Sequence, residues 1–354
     1  MSTNMGSGAK TGSTMSSEMA EQPQVLARLA ARFDSIAGQV RAAAAPDGPV
    51  KGVAFLARGS SDNSALLGRY AIEQRTGLPT SLVAPSIVTV YRQAPELYRG
   101  WLLVALSQSG RTPEIVDIAA RYAACGATVA AVTNDPDSAL ARAARLHVSL
   151  DAGPELAVPA TKTVTSQMLA ILAIAAGLTD ESETAGFQAD VDRIPAASAT
   201  ILADPEPVER VAKSLAEHRR LAVVGRGACY PAALETALKL QETLGVMAHG
   251  FSSADFRHGP IAVCGPDAPA VLLAGSGPAD DDTRALRSDL SARDARVIEF
   301  GTGPAADAEW PALGSMAECI LATIRGQQLA SALAARLGID PDEPTGLNKV
   351  TLTH

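Results

Sequence analysis

Leu102-Leu103-Val104-Ala105-Leu106-Ser107-Gln108-Ser109-Gly110-Arg111-Thr112 is the stretch that decides the fold. Five apolar residues in a row, with no alternation, read as a strand covered on both faces. They stop at a loop of serine, glycine and threonine, and Pro113 then opens a helical pattern that runs to about Cys125. A buried strand, a polar turn and an amphipathic helix form the repeating unit of a parallel α/β sheet.

The same unit recurs on both sides. Upstream, Val50–Ala57 is an apolar strand ending in Arg58-Gly59-Ser60-Ser61, followed by a helix over roughly 63–75. Downstream, strands are expected at 129–132 and 147–150, and a helix at 161–178 closes the first half. An amphipathic helix over 24–40 precedes it. The second half repeats the first at one offset: Arg226-Gly227 lies 168 positions after Arg58-Gly59, and Ala270–Ala274 lies 168 after Leu102–Leu106. Residues 294–297 stand in the same relation to 126–129. These repeats predict two tandem doubly wound parallel sheets flanked by helices. One α/β domain joined to an unrelated one is the alternative. The expected organisation is a flexible tail over 1–19, a first domain over 20–180, a linker over 181–208 rich in Ala, Asp, Glu, Ser and Pro, a second domain over 209–340 and a C-terminal tail over 341–354.

Composition narrows the function. The 354 residues carry a formal charge of −8, which argues against nucleic acid or an anionic membrane as the main partner. Aromatic residues are 4%, too few for stacking platforms. Cys125, Cys229, Cys264 and Cys319 lie far apart and form no CxxC pair, which argues against a zinc knuckle or a disulfide framework. The amino terminus lacks an apolar signal region, and the longest apolar run, 168–178, is too short to span a bilayer. A cytoplasmic protein is expected.

Ligands of such sheets bind beyond the carboxyl ends of the strands. There, Ser107, Gln108, Ser109 and Thr112 place hydroxyls, an amide and backbone N–H groups at a helix start, which suits an anion. Ser60 and Ser61 can reach the same space. No Walker lysine and no GxGxxG is present, so a small phosphorylated ligand fits better than a nucleotide. The competing reading is that these hydroxyls are ordinary helix caps. The second copy, Gly275-Ser276-Gly277 and Ala228-Cys229, has lost most of them, which points to phosphate in the first half and some other contribution from the second.

That contribution centres on Glu235, Lys239 and Glu242, spaced to share one helix face. A solvated salt-bridge stripe is the competing reading. A carboxylate partly desolvated in a cleft can instead move protons. His258, held by the turn Gly259-Pro260, is a further proton carrier, though a lone histidine is more often structural. Lys349, near the end of the chain, reads as a solvated charge on its spacing alone.

Taken together, Gly59-Ser60-Ser61, the serine loop at 107–112, Ala237-Leu238-Lys239-Leu240-Gln241-Glu242, Arg257-His258-Gly259-Pro260 and Leu347-Asn348-Lys349-Val350-Thr351 resemble the double sugar-isomerase (SIS) module, the isomerase part of glutamine–fructose-6-phosphate aminotransferase. Gly153-Pro154-Glu155, Val158 and Thr161-Lys162 match the same family, and the resemblance runs from about residue 20 to the end. It implies a flavodoxin-like fold in each half. It implies that Ser61, Ser107, Gln108, Ser109 and Thr112 hold a phosphate, and that Ser60 and Val158 line the sugar site. Glu242 would transfer a proton between C1 and C2, with Lys239 assisting. His258 would serve ring opening, often from a neighbouring subunit of a homodimer, and Lys349 would close over the substrate. No metal or redox cofactor is implied.

The sequence begins Met1-Ser2-Thr3 without the glutaminase domain of the synthase. That points to the stand-alone branch, and so to deamination of glucosamine 6-phosphate to fructose 6-phosphate and ammonia. Ammonia-dependent synthesis, fructosamine-6-phosphate deglycation, galactosamine-6-phosphate deamination and sugar-phosphate sensing by a regulator are the alternatives. Arg111, Gln241, Ala160 and Val350 depart from the family pattern, and Arg111 is expected to add phosphate affinity.

Overall fold

The structure is a computed structural model that describes residues 13–44, 46 and 48–349, apart from the side chains of residues 181–183 and 185. In chain order the first half holds α1 (Thr14–Ala20), α2 (Gln22–Ala30), α3 (Phe33–Ala43), β1 (Val53–Leu56), α4 (Ser60–Thr76), β2 (Thr80–Leu82), α5 (Pro85–Thr89), β3 (Leu102–Leu106), α6 (Pro113–Ala124), β4 (Thr128–Thr133), α7 (Ala139–Ala143), β5 (Leu146–Ser149) and α8 (Lys162–Leu178). The second holds α9 (Glu181–Val191), α10 (Ile194–Ala203), α11 (Glu206–Leu215), β6 (Arg220–Gly225), α12 (Cys229–Leu244), β7 (Met247–Ser252), α13 (Ser253–Arg257), β8 (Ala270–Ala274), α14 (Asp280–Ser291), β9 (Val297–Gly301), β10 (Ala308–Glu309) and α15 (Ser315–Leu337).

The strands form two parallel five-stranded sheets, ordered β2-β1-β3-β4-β5 and β10-β9-β8-β6-β7. Followed from the inner strand of each half, the order is the same doubly wound one. The repeat deduced from sequence is therefore a structural duplication. β3 and β8 keep the 168-residue offset to the residue. Every residue of β1, β3, β4 and β8 is buried, as unbroken apolar runs in a two-sided sheet require.

The halves meet through their helices. α8 is buried along nearly its whole length and packs on α2, α3, α4 and α15. α4 and α12, each following the inner strand of its own half, also pack together. That contact brings the start of α4 against the middle of α12, and the site follows from it.

Three expectations need correction. The helix expected over 24–40 is two helices, α2 and α3, separated at Ala31 and Arg32. The expected tail over 1–19 lies outside the described residues up to residue 12, but 14–20 form α1, with Met15 and Met19 buried. The expected linker over 181–208 is helical, running through α9 and α10 into α11. The reason is burial: Phe187, Val191, Ile194 and Ile201 all face inward, so these helices are part of the core and not a tether. Among the described residues, no helix is long and apolar enough to cross a membrane.

Candidate functional site

A cleft of about 390 Å³ opens at the carboxyl ends of β1 and β3, within the size range of a small-ligand site. Ser60, Ser61, Ser107, Gln108, Ser109 and Thr112 all line it. So do Val158, Ala160, Glu242 and the segment Leu347–Lys349. Every residue expected at the phosphate and sugar positions is thus brought to one place.

The serine loop keeps its shape through its own backbone. Gly110 has φ +60, and a Cβ there would collide with the side chain of Ser138, so only glycine fits. The Gly110 N–H donates to Ser107 Oγ (3.1 Å) and the Arg111 N–H to Ser109 Oγ (3.3 Å). Thr112 is the N-cap residue of α6, yet its hydroxyl makes no capping hydrogen bond. The N-cap position of α4 is Gly59, which has no side chain to cap with, and Ser60 and Ser61 follow it inside the helix. The capping reading therefore does not account for Ser60, Ser61 or Thr112.

Arg111 does not do what its position suggested. Its guanidinium donates from Nε (3.1 Å) and Nη2 (2.7 Å) to Asp135 Oδ2, holds that carboxyl below the usual carboxylate range, and stays outside the cleft. The arginine that does line the cleft is Arg58, whose Nη2 lies 3.0 Å from Glu114 Oε2. In the sequence it stands out only as half of an Arg-Gly turn.

The acid–base trio is not a solvated stripe. Glu235 and Lys239 have fully buried side chains, while Glu242 is 22% exposed at the cleft. Lys239 Nζ donates to Glu242 Oε2 and to Ser60 Oγ (3.1 Å), and lies 3.4 Å from Glu235 Oε1. Asn63 Nδ2, on α4, donates to Glu235 Oε2 (2.7 Å). Burial opposes the charge on Lys239, but the two carboxylates outweigh it, and its pKa is raised. Burial also raises the Glu235 carboxyl, only partly offset by Lys239. One cation shared between two carboxylates explains both directions, and Lys239 is held charged between them.

Lys349 is half of a second ionic cluster. Its Nζ donates to Glu155 Oε2 (2.9 Å) and to the Ala157 carbonyl (2.7 Å). Glu155 is buried and also accepts from Thr161 N (2.9 Å), Thr163 N (3.0 Å) and Thr163 Oγ1 (2.6 Å). Burial alone would raise its pKa, but Lys349 and these bonds lower it. Lys349 is therefore not the solvated charge that spacing suggested. Val350 and the rest of the expected closing tail lie outside the described residues. His258 caps the end of α13, is exposed, and is not among the residues lining the cleft. Its own chain does not bring it to the site.

In the second half, the loop equivalent to the serine loop is already filled. Glu318, fully buried on α15, accepts from the Ser276 N–H (2.7 Å), the Ser276 hydroxyl and the Leu313 N–H (2.8 Å). A Cβ on Gly275 would collide with Glu318 Oε2, so glycine is needed to admit the carboxylate. A carboxylate of the chain sits where the first half leaves room for an anion. We expect one anion bound per chain, at the serine loop, and Ser109→Ala to weaken its binding by roughly 1.5–3 kcal/mol, the value of a hydrogen bond to a charged group. Titration calorimetry checks both; two equivalent sites per chain would contradict the filled second loop.

The sequence matches the SIS domain over residues 49–177 and 214–304. The chain belongs to the SIS domain family. It is 33% identical over 356 residues to glutamine–fructose-6-phosphate aminotransferase (isomerizing) of Zymomonas mobilis, covering 95% of this chain and 58% of that protein. The chain thus spans little more than half the length of this curated relative. A candidate phosphosugar isomerase from Silicibacter pomeroyi is 30% identical, with a TM-score of 0.83 over 94% of this chain and 100% of the other. Glucosamine-6-phosphate deaminase from Thermotoga maritima shares the fold, at 23% identity and a TM-score of 0.78 over 96% of this chain and 100% of that one.

Proposed function

We propose that the chain is a phosphosugar isomerase acting between C1 and C2 of an amino-sugar phosphate, and that with water it deaminates glucosamine 6-phosphate. The observation that carries this is the position of Glu242. It is the trio's one carboxylate at the cleft, oriented by a buried lysine, and it shares that cleft with the serine loop. The loop would hold the phosphate, and Ser60 and Val158 would line the sugar. Glu242 would take the C2 proton of the open chain and return it at C1, while O1 gains a proton and the amine loses one, which leaves a ketimine at C2. Water adds to that carbon and ammonia leaves, giving fructose 6-phosphate. A positioned carboxylate suffices for such a shift.

The identity to the Zymomonas aminotransferase supports an amino-sugar phosphate as the substrate class, and ammonia-dependent synthesis is the second reading on that ground. Hydrolysis is the first reading because it needs only water at the ketimine carbon, whereas synthesis needs an ammonia donor. Free ammonia is mostly protonated near neutral pH and is a poor nucleophile.

The test is coupled detection of ammonia and fructose 6-phosphate from glucosamine 6-phosphate, with and without chelator. Glutamine-dependent formation of glucosamine 6-phosphate would overturn the direction. No turnover of any hexosamine phosphate would overturn the enzyme.

His258 enters the same proposal through assembly. If it serves a neighbouring subunit's cleft, the protein is a homodimer with shared sites. Mixing Glu242→Gln and His258→Ala chains, each inactive, should then restore part of the activity in hybrid sites. Failure to recover activity despite proven subunit exchange would remove His258 from catalysis in the partner.

A further inference from the structure

Three segments far apart in sequence converge behind the sugar-facing wall of the cleft. The first is α1. The second is the loop between β5 and α8, which carries Val158 and Ala160 into the cleft. The third is the segment after α15, which carries Leu347, Asn348 and Lys349. Asp342 stands where they meet. Its carboxylate accepts from the Thr14 N–H (Oδ2, 2.6 Å) and the Met15 N–H (Oδ1, 2.8 Å). Its backbone carbonyl accepts from the Val158 N–H (2.9 Å). Glu18, one turn along α1, accepts from the neighbouring Leu156 N–H. Lys349 then ties the far end of the third segment to Glu155 and Ala157 of the same loop.

We infer that Asp342 is a positioning residue for the sugar wall, through which α1 sets where Val158 and the 347–349 segment stand. The reasoning is one of degrees of freedom. The loop over 150–161 has no strand or α-helix of its own, and its Val158 amide is spent on the Asp342 carbonyl. The segment over 339–349 is likewise without regular structure. Two irregular segments cannot fix each other unless one is anchored to something packed. α8 anchors the Glu155 end of the loop through Thr163, and α1 anchors the stretch at Leu156 and Val158, because Met15, Glu18 and Met19 are buried and Ser16 Oγ lies 3.0 Å from Ser331 Oγ on α15. Asp342 joins anchor to wall with one side chain and one carbonyl. The phosphate loop takes no part, being held by Ser107, Ser109 and Gly110 on the other side of the cleft.

This inference rests on the reading of the cleft as a phosphosugar site, and two measurements keep the two apart. Hydrogen exchange needs no ligand. In Asp342→Ala the carbonyl remains and only the tie to α1 is lost. If Asp342 merely caps α1, amides 14 and 15 alone exchange faster. If it positions the wall, the Val158 and Leu156 amides exchange faster too, by about tenfold or more. Calorimetry supplies the second measurement. Fructose 6-phosphate, which needs the wall, should bind about five- to tenfold more weakly to Asp342→Ala. Inorganic phosphate, which needs only the serine loop, should bind as it does to the parent protein. Asp342→Glu, which keeps a carboxylate in reach of the same amides, should recover part of the loss.

Unchanged exchange at Val158 overturns the inference, and so does an equal loss of both ligands. If Asp342→Ala shows the exchange pattern while the parent protein turns over no hexosamine phosphate, the proposed reaction is overturned and the role of Asp342 stands.

Discussion

Glu242→Gln should lower kcat for ammonia release by about 10²–10⁴, the usual weight of a positioned acid–base group. The substitution keeps the size and one acceptor oxygen, so Lys239 can still donate to residue 242 and to Ser60 Oγ. The serine loop lies on the opposite half and is untouched, so binding of glucosamine 6-phosphate should change little. Thermal stability should also hold, because Glu242 is the exposed member of the trio while Glu235 and Lys239 are fully buried. The loss should appear in the proton transfer itself. From substrate deuterated at C2 the parent protein should carry deuterium to C1 of the product, less whatever the carboxyl exchanges with water, and the variant should do so only at its reduced rate. Turnover at the parent rate would return Glu242 to the status of a surface charge. Lost binding with unchanged kcat would make it a substrate contact and not a base.

How much of this is legible in the sequence depends on what each feature rests on. β3 and β8 are legible to the residue, because an unbroken apolar run ended by Ser107 or Gly275 leaves one interpretation. The duplication is legible for the same reason: buried strands and their turns tolerate few changes of length. α1 is not, since its sequence is mostly Ser, Met and Glu and only packing on α15 makes it a helix. β10 has two residues and no periodicity to read. α9 and α10 read as a linker because Ala, Asp, Glu and Ser dominate them, and a few buried positions such as Phe187 and Ile201 decide otherwise.

The site divides along the same line. Residues on rigid turns and one helix face, such as Ser109 and Glu242, are placed by spacing. Arg111 stays outside the cleft and Arg58 lines it, because the direction of a long side chain depends on its partner, here Asp135 for one and Glu114 for the other. Glu318 and Asp342 carry no signal, since each acts on a loop distant in sequence.

Lys239→Met carries the largest expected effect on stability. Lys239 is fully buried, between Glu235, which is also fully buried, and Glu242. Methionine can fill the space but leaves two carboxylates without their cation. Removing one member of a buried ion pair costs about 3–5 kcal/mol, because the remaining charge is left desolvated. Adding Glu235→Gln should recover part of that loss, since the amide can still accept from Asn63 and no longer carries a charge.

The pH dependence has a definite sign. Lys239 in the parent protein has a raised pKa, so its stabilisation is complete below the ordinary lysine value and is lost only as pH rises through the folded-state value. Glu235 is also raised, and without Lys239 it is raised further. A carboxyl raised on folding stabilises in acid and loses that contribution as pH rises through its folded-state value. The deficit of Lys239→Met relative to the parent should therefore shrink as the medium is acidified and grow as pH rises through the raised folded-state value of Glu235. Glu155, which is lowered, destabilises both proteins alike in acid and cancels from the difference. Thermal or urea unfolding of the two proteins and the double variant, followed across pH, measures this directly. A deficit that is independent of pH would mean that the introduced methionine packs poorly and that the charge of Lys239 is not what holds the trio.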